Sequence, residues 1–394
     1  MYLGKNIDEL KQAKAFHTAK EICQQGKVWR KLALLVENID TDLVKTLEKI
    51  TYDKNAQIIL TGAGTSAYIG NILALALDNI CAAQVRSIPT TDIVSQPGSY
   101  FTDKSKGVVI SFGRSGSSPE SIDAVEKIEQ IAPNMHHIYV TCNKNGGLAQ
   151  RVEQNKRAYL CLMPEETHDV SFVMSSSFSS MLLFTYGLFV KTILGETDFD
   201  YTTLALQSDE IAHNFYHNRL FEKIEQIERI VYLGSNNLYG AAQESALKAV
   251  EMTTGQIITM AETSLGFRHG PKSIVNDKTL ICVFVSNDPY TQLFDKDIIN
   301  ELAQDDDMLQ IVVFANEAFF AEYPLSQDNI IRVALRKELT HYNDALMGAI
   351  FVNFAQIIGF NIATYLGFSP DDPCPTGQVN RVVQGVTIYD YPKK

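Results

Sequence analysis

The segment IVYLGSNNLYGAAQESALKAV, residues 230–250, holds a strand, a turn and a helix in succession. The first four residues are hydrophobic, and the next four, beginning at Gly234, are typical of a turn. Alanines then recur at helical spacing at positions 242, 246 and 249. Short apolar strands that alternate with helices in this way predict a parallel sheet with helices on both faces.

The same order of elements occurs earlier in the chain. The glycines that follow the first strand of each half, Gly62 and Gly234, differ by 172 positions (234 − 62 = 172). Under this offset, the apolar runs of the first half fall on apolar runs of the second: 108–112 on 280–284, 139–142 on 311–314, and 159–163 on 331–335. The repeat predicts an α/β protein with two tandem copies of one doubly wound domain.

A helical arm is predicted to precede the two copies. Residues 1–50 have helical periodicity, and Thr18 followed by Glu21 predicts a capping box. The polar stretch at 195–202 is the expected boundary between the copies. The predicted parts are the arm over residues 1–50, a first domain over 51–200, and a second domain over 201–394.

The composition excludes several classes of partner. The 394 residues carry a net charge of −12 and contain no run of five Lys or Arg residues, so nucleic acid and anionic membrane surfaces are not expected partners. The N-terminus is charged from the start, without the apolar core of a signal peptide, and no unbroken apolar run of 18 residues occurs. We therefore expect a cytoplasmic protein with no membrane partner.

Two loops of the first copy are predicted to bind a phosphate. Each follows a strand and opens a helix, where backbone N–H groups and the helix dipole favour an anion. The loop GRSGSS at 113–118 combines glycines with hydroxyl donors, whereas the second copy has VSNDPY at 285–290. A simple helix cap would account for Ser118 and Pro119 equally well. The candidate phosphate-binding residues are Thr65, Ser66, Arg114, Ser115, Ser117 and Ser118.

The second copy carries a different set of side chains. Lys248 and Glu251 are three residues apart on the predicted helix, and Glu244 lies one turn before Lys248, so the three share a face. The loop GFRHGP at 266–271 adds His269 beside an arginine. Taken alone, each of these is as consistent with a surface ion pair or an inert loop residue. Together with a phosphate loop, they indicate acid–base chemistry.

These motifs resemble a known family. GAGTS at 62–66, SGSS at 115–118, ALKAVE at 246–251 and RHGP at 268–271 resemble the double sugar isomerase (SIS) domain proteins, which include the isomerase half of glucosamine-6-phosphate synthase. With the tail segment NRVVQGV at 380–386, the chain is most similar to AgaS-type proteins, described as galactosamine-6-phosphate deaminases or tagatose-6-phosphate ketose/aldose isomerases. The resemblance implies doubly wound five-stranded sheets and a homodimer.

The resemblance also implies roles for individual residues. Glu251 matches the base that moves a proton between C1 and C2, and Lys248 matches a neighbouring active-site lysine. His269 matches the histidine that opens the sugar ring, commonly from the other subunit, so the active site would be shared. Gln384 stands where the synthase has a catalytic lysine, which argues against a Schiff base. Gln384 and Arg268 are possible substrate contacts.

The implied chemistry needs no cofactor and no metal. On galactosamine 6-phosphate, His269 would move a proton from O1 to the ring oxygen, because imidazole exchanges protons near neutral pH. Glu251 would then move the C2 proton to C1, and water would hydrolyse the ketimine to tagatose 6-phosphate and ammonia. Lys248 would favour the ionised carboxylate or stabilise the developing enolate.

Two other functions stay open. An aldose–ketose isomerase acting on non-amino hexose 6-phosphates would use the same base and ring opener. A sensor that binds a sugar phosphate without turnover is allowed by the fold, although it has no need for Glu251, Lys248 and His269 together.

Overall fold

The computed structural model describes residues 1–305, 308–377, 379–383 and 385–392. The chain divides into two compact units, each built on one sheet. The first-sheet unit comprises Arg30–Asp169, Ser176–Asp198 and Thr376–Lys394, and the second-sheet unit comprises Met1–Trp29, Val170–Ser175 and Phe199–Pro375. The three domain ranges expected from the sequence remain a prediction.

Each unit contains a parallel sheet of five strands within the described residues. The strands are β1 (Gln57–Thr61), β2 (Gln84–Ser87), β3 (Gly107–Gly113), β4 (Met135–Thr141), β5 (Ala158–Leu162), β6 (Arg229–Gly234), β7 (Ile258–Glu262), β8 (Thr279–Phe284), β9 (Gln310–Asn316) and β10 (Ile330–Leu335). The first sheet has the order β2-β1-β3-β4-β5, and the second, read from the matching end, has the order β7-β6-β8-β9-β10. The two sheets therefore have the same topology, and the predicted α/β fold of two doubly wound sheets is confirmed.

Helices connect these strands. They are α1 (Ile7–Gln12), α2 (Phe16–Cys23), α3 (Gln25–Glu37), α4 (Thr41–Thr51), α5 (Thr65–Asp78), α6 (Thr90–Ser95), α7 (Pro119–Ile131), α8 (Gly147–Arg151), α9 (Ser176–Leu194), α10 (Tyr201–Asn214), α11 (Asn237–Met252), α12 (Pro289–Leu302), α13 (Glu317–Glu322) and α14 (Asp344–Tyr365). Short 3-10 helices occur at Pro97–Ser99, Glu165–Thr167, Phe215–His217, Arg219–Gln226, Gly266–Arg268, Pro271–Ile274 and Lys337–His341.

Two of these helices, α9 and α14, are long and apolar enough to cross a membrane by length and composition alone. However, 83% of the residues in the most apolar stretch of α9 are buried inside the protein, and 94% of those in the most apolar stretch of α14. In doubly wound folds the helices that cover a sheet carry an apolar face to the core, and burial on all sides makes a helix apolar all round. The composition of α9 and α14 is thus that of core helices.

The two copies share an unusual turn after their first strands. Gly64 has φ 54° and ψ −128°, and Asn236, 172 positions later, has φ 54° and ψ −121°. The preceding glycines, Gly62 and Gly234, allow the first turn of the following helix to approach closely. A Cβ at either would lie 2.5 Å from backbone atoms of Ser66 or Leu238, respectively. The duplication therefore extends to the backbone conformation of the turn.

The constant offset of 172 is wrong for part of each copy. Ser111 of β3 pairs with Tyr139, but Val283, its counterpart on β8, pairs with Val313 instead of Ile311, so β9 is displaced by two further positions. The loop after β8 is also two residues shorter than the loop after β3, since Pro119 and Pro289 both begin helices. Insertions and deletions in loops explain both differences, because loop length is free to change where strand pairing is not.

The predicted arm is helical, but the predicted capping box is wrong. Thr18 and Glu21 lie inside α2, whose own N-cap residue makes no side-chain capping bond. Instead, the Asp371 carboxylate accepts hydrogen bonds from the Thr18 N–H and hydroxyl at 2.7 and 2.8 Å, and from the His17 N–H at 3.0 Å. Glu21 accepts a bond from the Val170 N–H at 2.5 Å. A carboxylate remote in sequence therefore caps α2.

We expect Asp371→Ala to lower the free energy of unfolding by about 1–2 kcal/mol, because it leaves two N–H groups of the first turn of α2 without their acceptor. Urea unfolding followed by circular dichroism measures the change. Asp372→Ala is the matched control, since the neighbouring Asp372 is exposed. An equal loss in both variants would show that the cap contributes nothing specific.

Candidate active site

The two candidate phosphate loops are neighbours in space. β1 and β3 are adjacent parallel strands, and Thr61 at the end of β1 pairs with Ser111 near the end of β3. The loops that follow, 62–64 and 113–118, therefore leave the same edge of the sheet. β1 also pairs with β2 on its other side, so the strand order reverses direction here. Doubly wound folds bind their ligands at such a reversal.

The loop 113–118 is held in place by the loop after β4. The Leu148 N–H donates to the Gly116 carbonyl at 2.8 Å, and the Asn143 side-chain amide donates to the Ser115 carbonyl at 3.1 Å. Gly116 has φ 60°, and a Cβ there would lie 2.9 Å from the Thr141 hydroxyl. This glycine is therefore required by the conformation and by the close packing of the loop.

The hydroxyl groups of this loop have different surroundings. Ser118 is the N-cap of α7, as predicted, and its oxygen accepts a bond from the Ser121 N–H at 3.3 Å. The Ser117 oxygen accepts a bond from the Gly147 N–H at 3.0 Å. Ser115 is half-buried, and Thr65 and Ser66 are buried in the first turn of α5. The predicted serines are thus gathered at one edge of the first sheet.

Arg114 is directed differently from these serines. Its side chain is only 6% exposed, and the guanidinium donates to the Arg381 carbonyl at 3.3 Å. Arg381 in turn donates to the Asp169 carbonyl. Arg114 therefore ties the candidate phosphate loop to the C-terminal tail of its own unit. Gln384, the other tail residue singled out in the sequence, lies outside the described residues.

In the second-sheet unit, the shared face of α11 carries a buried lysine between two carboxylates. Lys248 and Glu244 are both 0% exposed, and the Lys248 Nζ lies 3.4 Å from the Glu244 Oε1. Nζ also forms an ion pair and hydrogen bond with the Glu251 Oε2. The Glu251 side chain is 23% exposed, so it is the member of the group that faces solvent. Helical spacing alone predicted this juxtaposition.

One face of the second sheet is covered by α11 and α14, which pack on each other. Phe284 of β8 stacks on Phe351 of α14 with ring centroids 4.8 Å apart, and Tyr232 of β6 lies beside Phe284 at 5.9 Å. Lys248 and Glu251, being carried by α11, belong to this face of the sheet.

The loop with His269 lies on the other face. Because side chains alternate along a strand, Val231 and Leu233 point away from the face of Tyr232. Both pack in a cluster with Phe267, two residues before the exposed His269. In one chain, the expected base and the expected ring opener are therefore on opposite sides of a sheet, although they are close in sequence.

Arg268 is engaged by acidic residues of α12. Its Nε donates to the Glu301 carboxylate at 2.6 Å, and its Nη2 lies 3.4 Å from the Asp297 carboxylate. Lys272 binds the same Glu301 at 2.8 Å, and the two cations lower the pKa of this carboxyl group. This network fixes the segment that carries His269 against α12.

The loops after the strands of the second sheet are closed by two buried carboxyl groups that sequence reasoning missed. The Asp344 carboxylate accepts bonds from the Ser286 hydroxyl at 2.5 Å and the Asn287 N–H at 2.8 Å. Asp295 accepts bonds from the Ser264 hydroxyl at 2.5 Å and the Ser286 N–H at 3.0 Å. In the second copy, carboxylates of the protein itself therefore accept the hydrogen bonds of donors in the loop after β8.

Burial is the main cause that raises the pKa of Asp295 to about 6 and the pKa of Asp344 to about 6. The folded state then holds their protons more tightly than the unfolded state between about pH 4 and 6. Their contribution to stability is therefore present below that window and is lost as the pH rises through it. We expect the free energy of unfolding of Asp344→Asn, relative to that of wild type, to rise by on the order of 2 kcal/mol as the pH increases from about 4 to about 7.

Urea unfolding at a series of pH values measures this difference. Asp288→Asn is the control of opposite sign, because hydrogen bonds from Thr291 lower the pKa of the exposed Asp288. The stabilising effect of the wild-type Asp288 carboxylate is present at neutral pH and is lost on acidification. A wild-type to Asp344→Asn difference that does not vary with pH would contradict the assignment.

The chain has clear relatives, although no family model matches it. It is 40% identical to the D-galactosamine-6-phosphate deaminase AgaS of Shewanella sp. (strain ANA-3), over 98% of this chain and 95% of the relative. It is 37% identical to the D-galactosamine-6-phosphate deaminase AgaS of Escherichia coli, over 95% of this chain and 96% of the relative. A provisionally assigned tagatose-6-phosphate ketose/aldose isomerase from Clostridium novyi NT has a similar structure, with a TM-score of 0.91, 36% identity and 99% coverage of both chains.

Tandem parallel sheets with a serine-rich loop at the reversal of strand order define the class of SIS-domain proteins. Within that class, identity near 40% over almost the full length is decisive. The chain belongs to the AgaS family. The family predicted from the sequence motifs is thereby confirmed.

Proposed function

We propose that this protein converts D-galactosamine 6-phosphate into tagatose 6-phosphate and ammonia. The observation that carries the proposal is the Glu244–Lys248–Glu251 group on α11, in a chain 40% identical to a relative named for this deamination. A carboxylate that is partly exposed and held by a buried ammonium is a suitable base for a carbon-bound proton. The position of Glu251 at the solvent-facing end of the group supports that role.

The proposed reaction has four steps. His269 moves a proton from O1 to the ring oxygen, which breaks the C1–O5 bond and gives the open-chain aldehyde. Glu251 removes the proton from C2 while O1 takes a proton from solvent, so that an enolamine with a C1–C2 double bond forms. Glu251 returns its proton to C1 and the amino nitrogen releases a proton to solvent, which leaves a ketimine at C2. Water then adds to the ketimine carbon and ammonia leaves, so the atoms balance without an oxidant or a cofactor.

The proposal assigns the substrate's phosphate to the loop 113–118 together with the first turn of α5. Backbone N–H groups at the start of a helix and serine hydroxyls are the donors that a phosphate prefers. Ser66, Ser115, Ser117 and Ser118 are the proposed hydroxyl ligands, with Thr65 beside them. Gly116 supports this assignment, because its conformation lets an anion approach the backbone.

We also infer that the protein is a cytoplasmic homodimer with a shared site. The segments that carry His269 and Glu251 lie on opposite faces of one sheet, so a histidine from a second copy is the simpler source of the ring-opening group. The exposed position of His269 supports this role. The six cysteines, all within the described residues, form no disulfide, which is in keeping with a reducing compartment.

Ammonia release tests the proposal. Purified protein incubated with galactosamine 6-phosphate should give equal amounts of ammonia and ketose phosphate. Formation of ketose phosphate only from non-amino aldose 6-phosphates would instead favour the isomerase activity for which the Clostridium novyi structure is named. Binding with neither product would leave a sensor as the remaining function. Glucosamine 6-phosphate is the matched control substrate, because it differs from galactosamine 6-phosphate only in the configuration at C4.

A further inference from the structure

The loop that carries His269 is held by its neighbours in sequence and not by the histidine itself. Ser264 donates its hydroxyl to a buried carboxylate of α12 at 2.5 Å, and Phe267 is fully buried in an apolar cluster of the second-sheet unit. On the other side of the histidine, the Lys272 Nζ lies 2.8 Å from the Glu301 carboxylate. The His269 imidazole makes no hydrogen bond within the part of the chain that the structure describes, so its position depends on these neighbours.

One carboxylate, that of Glu301, bonds to residues on both sides of His269. Its Oε2 accepts a hydrogen bond from the Arg268 Nε at 2.6 Å, and its Oε1 accepts one from the Lys272 Nζ at 2.8 Å. Between these two cations lies Gly270 with φ 119°, and a glycine restricts the backbone less than any other residue. The bonds to Glu301 therefore limit where this short segment, and the imidazole on it, can lie.

The fold does not require an acidic side chain at this position. Pro119 and Pro289 begin the equivalent helices α7 and α12, so these two helices differ by 170 positions (289 − 119 = 170). Position 301 then corresponds to position 131 (301 − 170 = 131), where α7 ends with the apolar Ile131. Glu301 is also partly exposed, and exposed ion pairs add little to stability. Its two bonds are therefore better explained by the loop that they hold than by the stability of the fold.

Opening of the sugar ring places a strict demand on the position of the imidazole. The group that moves a proton from O1 to the ring oxygen must come within hydrogen-bond distance of both atoms. A displacement of about 1 Å can lower a rate on the order of 100-fold. Since His269 has no side-chain bond of its own within the described residues, it meets this demand only if the backbone around it is fixed.

We propose that Glu301 is a positioning residue, whose carboxylate binds the two cations that flank His269 and so holds the imidazole in place for ring opening. The inference rests on the proposed deaminase function and adds a residue of α12 to it. It predicts that loss of the Glu301 charge slows ring opening, whereas proton transfer by Glu251 and binding of the phosphate are unaffected. Ring opening should then limit kcat.

Steady-state kinetics of Glu301→Gln in the full-length protein test this, with galactosamine 6-phosphate that carries hydrogen or deuterium at C2. We expect kcat to fall about tenfold and KM to change less than about twofold. The isotope effect on kcat should lie close to one, because the slowed step does not break the bond between C2 and its hydrogen. An isotope effect clearly above one in Glu301→Gln would place the loss in proton transfer and overturn the inference.

Two further variants control for the loss of charge. Glu301→Asp keeps the carboxylate and should restore part of kcat. Asp297→Asn is the matched control on the same helix, because the Asp297 side chain is 70% exposed and lies 3.4 Å from the Arg268 Nη2. Its kcat should stay within about twofold of the wild-type value. An equal fall of kcat in Asp297→Asn and Glu301→Gln would show that Glu301 has no specific role.

Hydrogen–deuterium exchange of the unliganded protein gives a readout without turnover. The His269 and Ser273 N–H groups donate to backbone carbonyls of the loop at 2.9 and 3.0 Å, and their exchange should become about fivefold faster in Glu301→Gln and stay unchanged in Asp297→Asn. Unchanged exchange, or an unchanged kcat, would overturn the inference and leave the deaminase function intact. Faster exchange in Glu301→Gln, together with a wild-type protein that releases no ammonia, would overturn the deaminase function and with it the catalytic role of Glu301. If Glu301→Gln does not fold, Lys272→Gln frees the loop from the same carboxylate and gives the same readouts.

Discussion

Glu251→Gln is expected to lower kcat on galactosamine 6-phosphate by about a thousandfold, because an amide cannot take a proton from C2. Substrate binding should be nearly unchanged, since the phosphate is assigned to other residues. The change preserves the shape of the side chain, and its oxygen can still accept a hydrogen bond from Lys248. Coupled assays of ammonia release give kcat, and calorimetric titration with the inactive variant gives Kd.

A control variant and an exchange measurement test whether the effect is specific to Glu251 and to proton transfer. Glu228→Gln removes a carboxylate of the same unit that lies in an exposed ion pair, and it should retain full turnover. Exchange of the C2 hydrogen with deuterium from solvent isolates the proton transfer from ketimine hydrolysis. Near-normal turnover by Glu251→Gln, or loss of exchange in the control variant, would remove the assignment of Glu251 as the base.

The double variant Ser115→Ala, Ser118→Ala is expected to raise KM about 100-fold, with kcat changed much less. Each hydroxyl is proposed to donate to the charged phosphate, and hydrogen bonds to charged groups contribute about 1.5–3 kcal/mol each. Because the phosphate is remote from C1 and C2, its contacts should stabilise the ground state and the transition state alike.

Ser118 also caps α7, so the double variant should lose about 1 kcal/mol of stability. Ser115→Ala alone has no capping role and should raise KM about tenfold without that loss. Ser95→Ala is the control, because this exposed serine donates only to a carbonyl of its own helix turn. A KM that stays at the wild-type value in Ser115→Ala would show that Ser115 does not bind the phosphate and would contradict the assignment of the phosphate to this loop.

The central strands and the edge strands β5 and β10 were predictable from sequence, whereas the edge strands β2 and β7 were not. β3 and β8 are buried at every position and are largely apolar, as is typical of parallel strands covered on both faces. β2 and β7 lie at sheet edges, have only four or five residues and are partly exposed. Their composition therefore resembles that of loops, and pairing with a neighbouring strand is what makes them extended.

The candidate site was predictable where it depends on local spacing. Helical periodicity brings Lys248 and Glu251 together, and the Ser-Pro sequence marks the start of α7. By contrast, the carboxyl groups of Asp295 and Asp344, which bond to the same Ser286, are 49 residues apart in sequence (344 − 295 = 49). No local pattern indicates that such residues meet, because the tertiary fold alone brings them together.

Asn236 shows that the two copies have kept one backbone shape with different residues. At φ 54° and ψ −121° it adopts a conformation in which an L-residue is crowded by its own Cβ, whereas Gly64 adopts the same conformation freely. Such a residue stores about 1–3 kcal/mol of strain, which the surrounding packing must hold in place. The later copy therefore carries backbone strain at this turn that the earlier copy lacks, so the two halves are expected to differ in stability although their sheets have the same strand order.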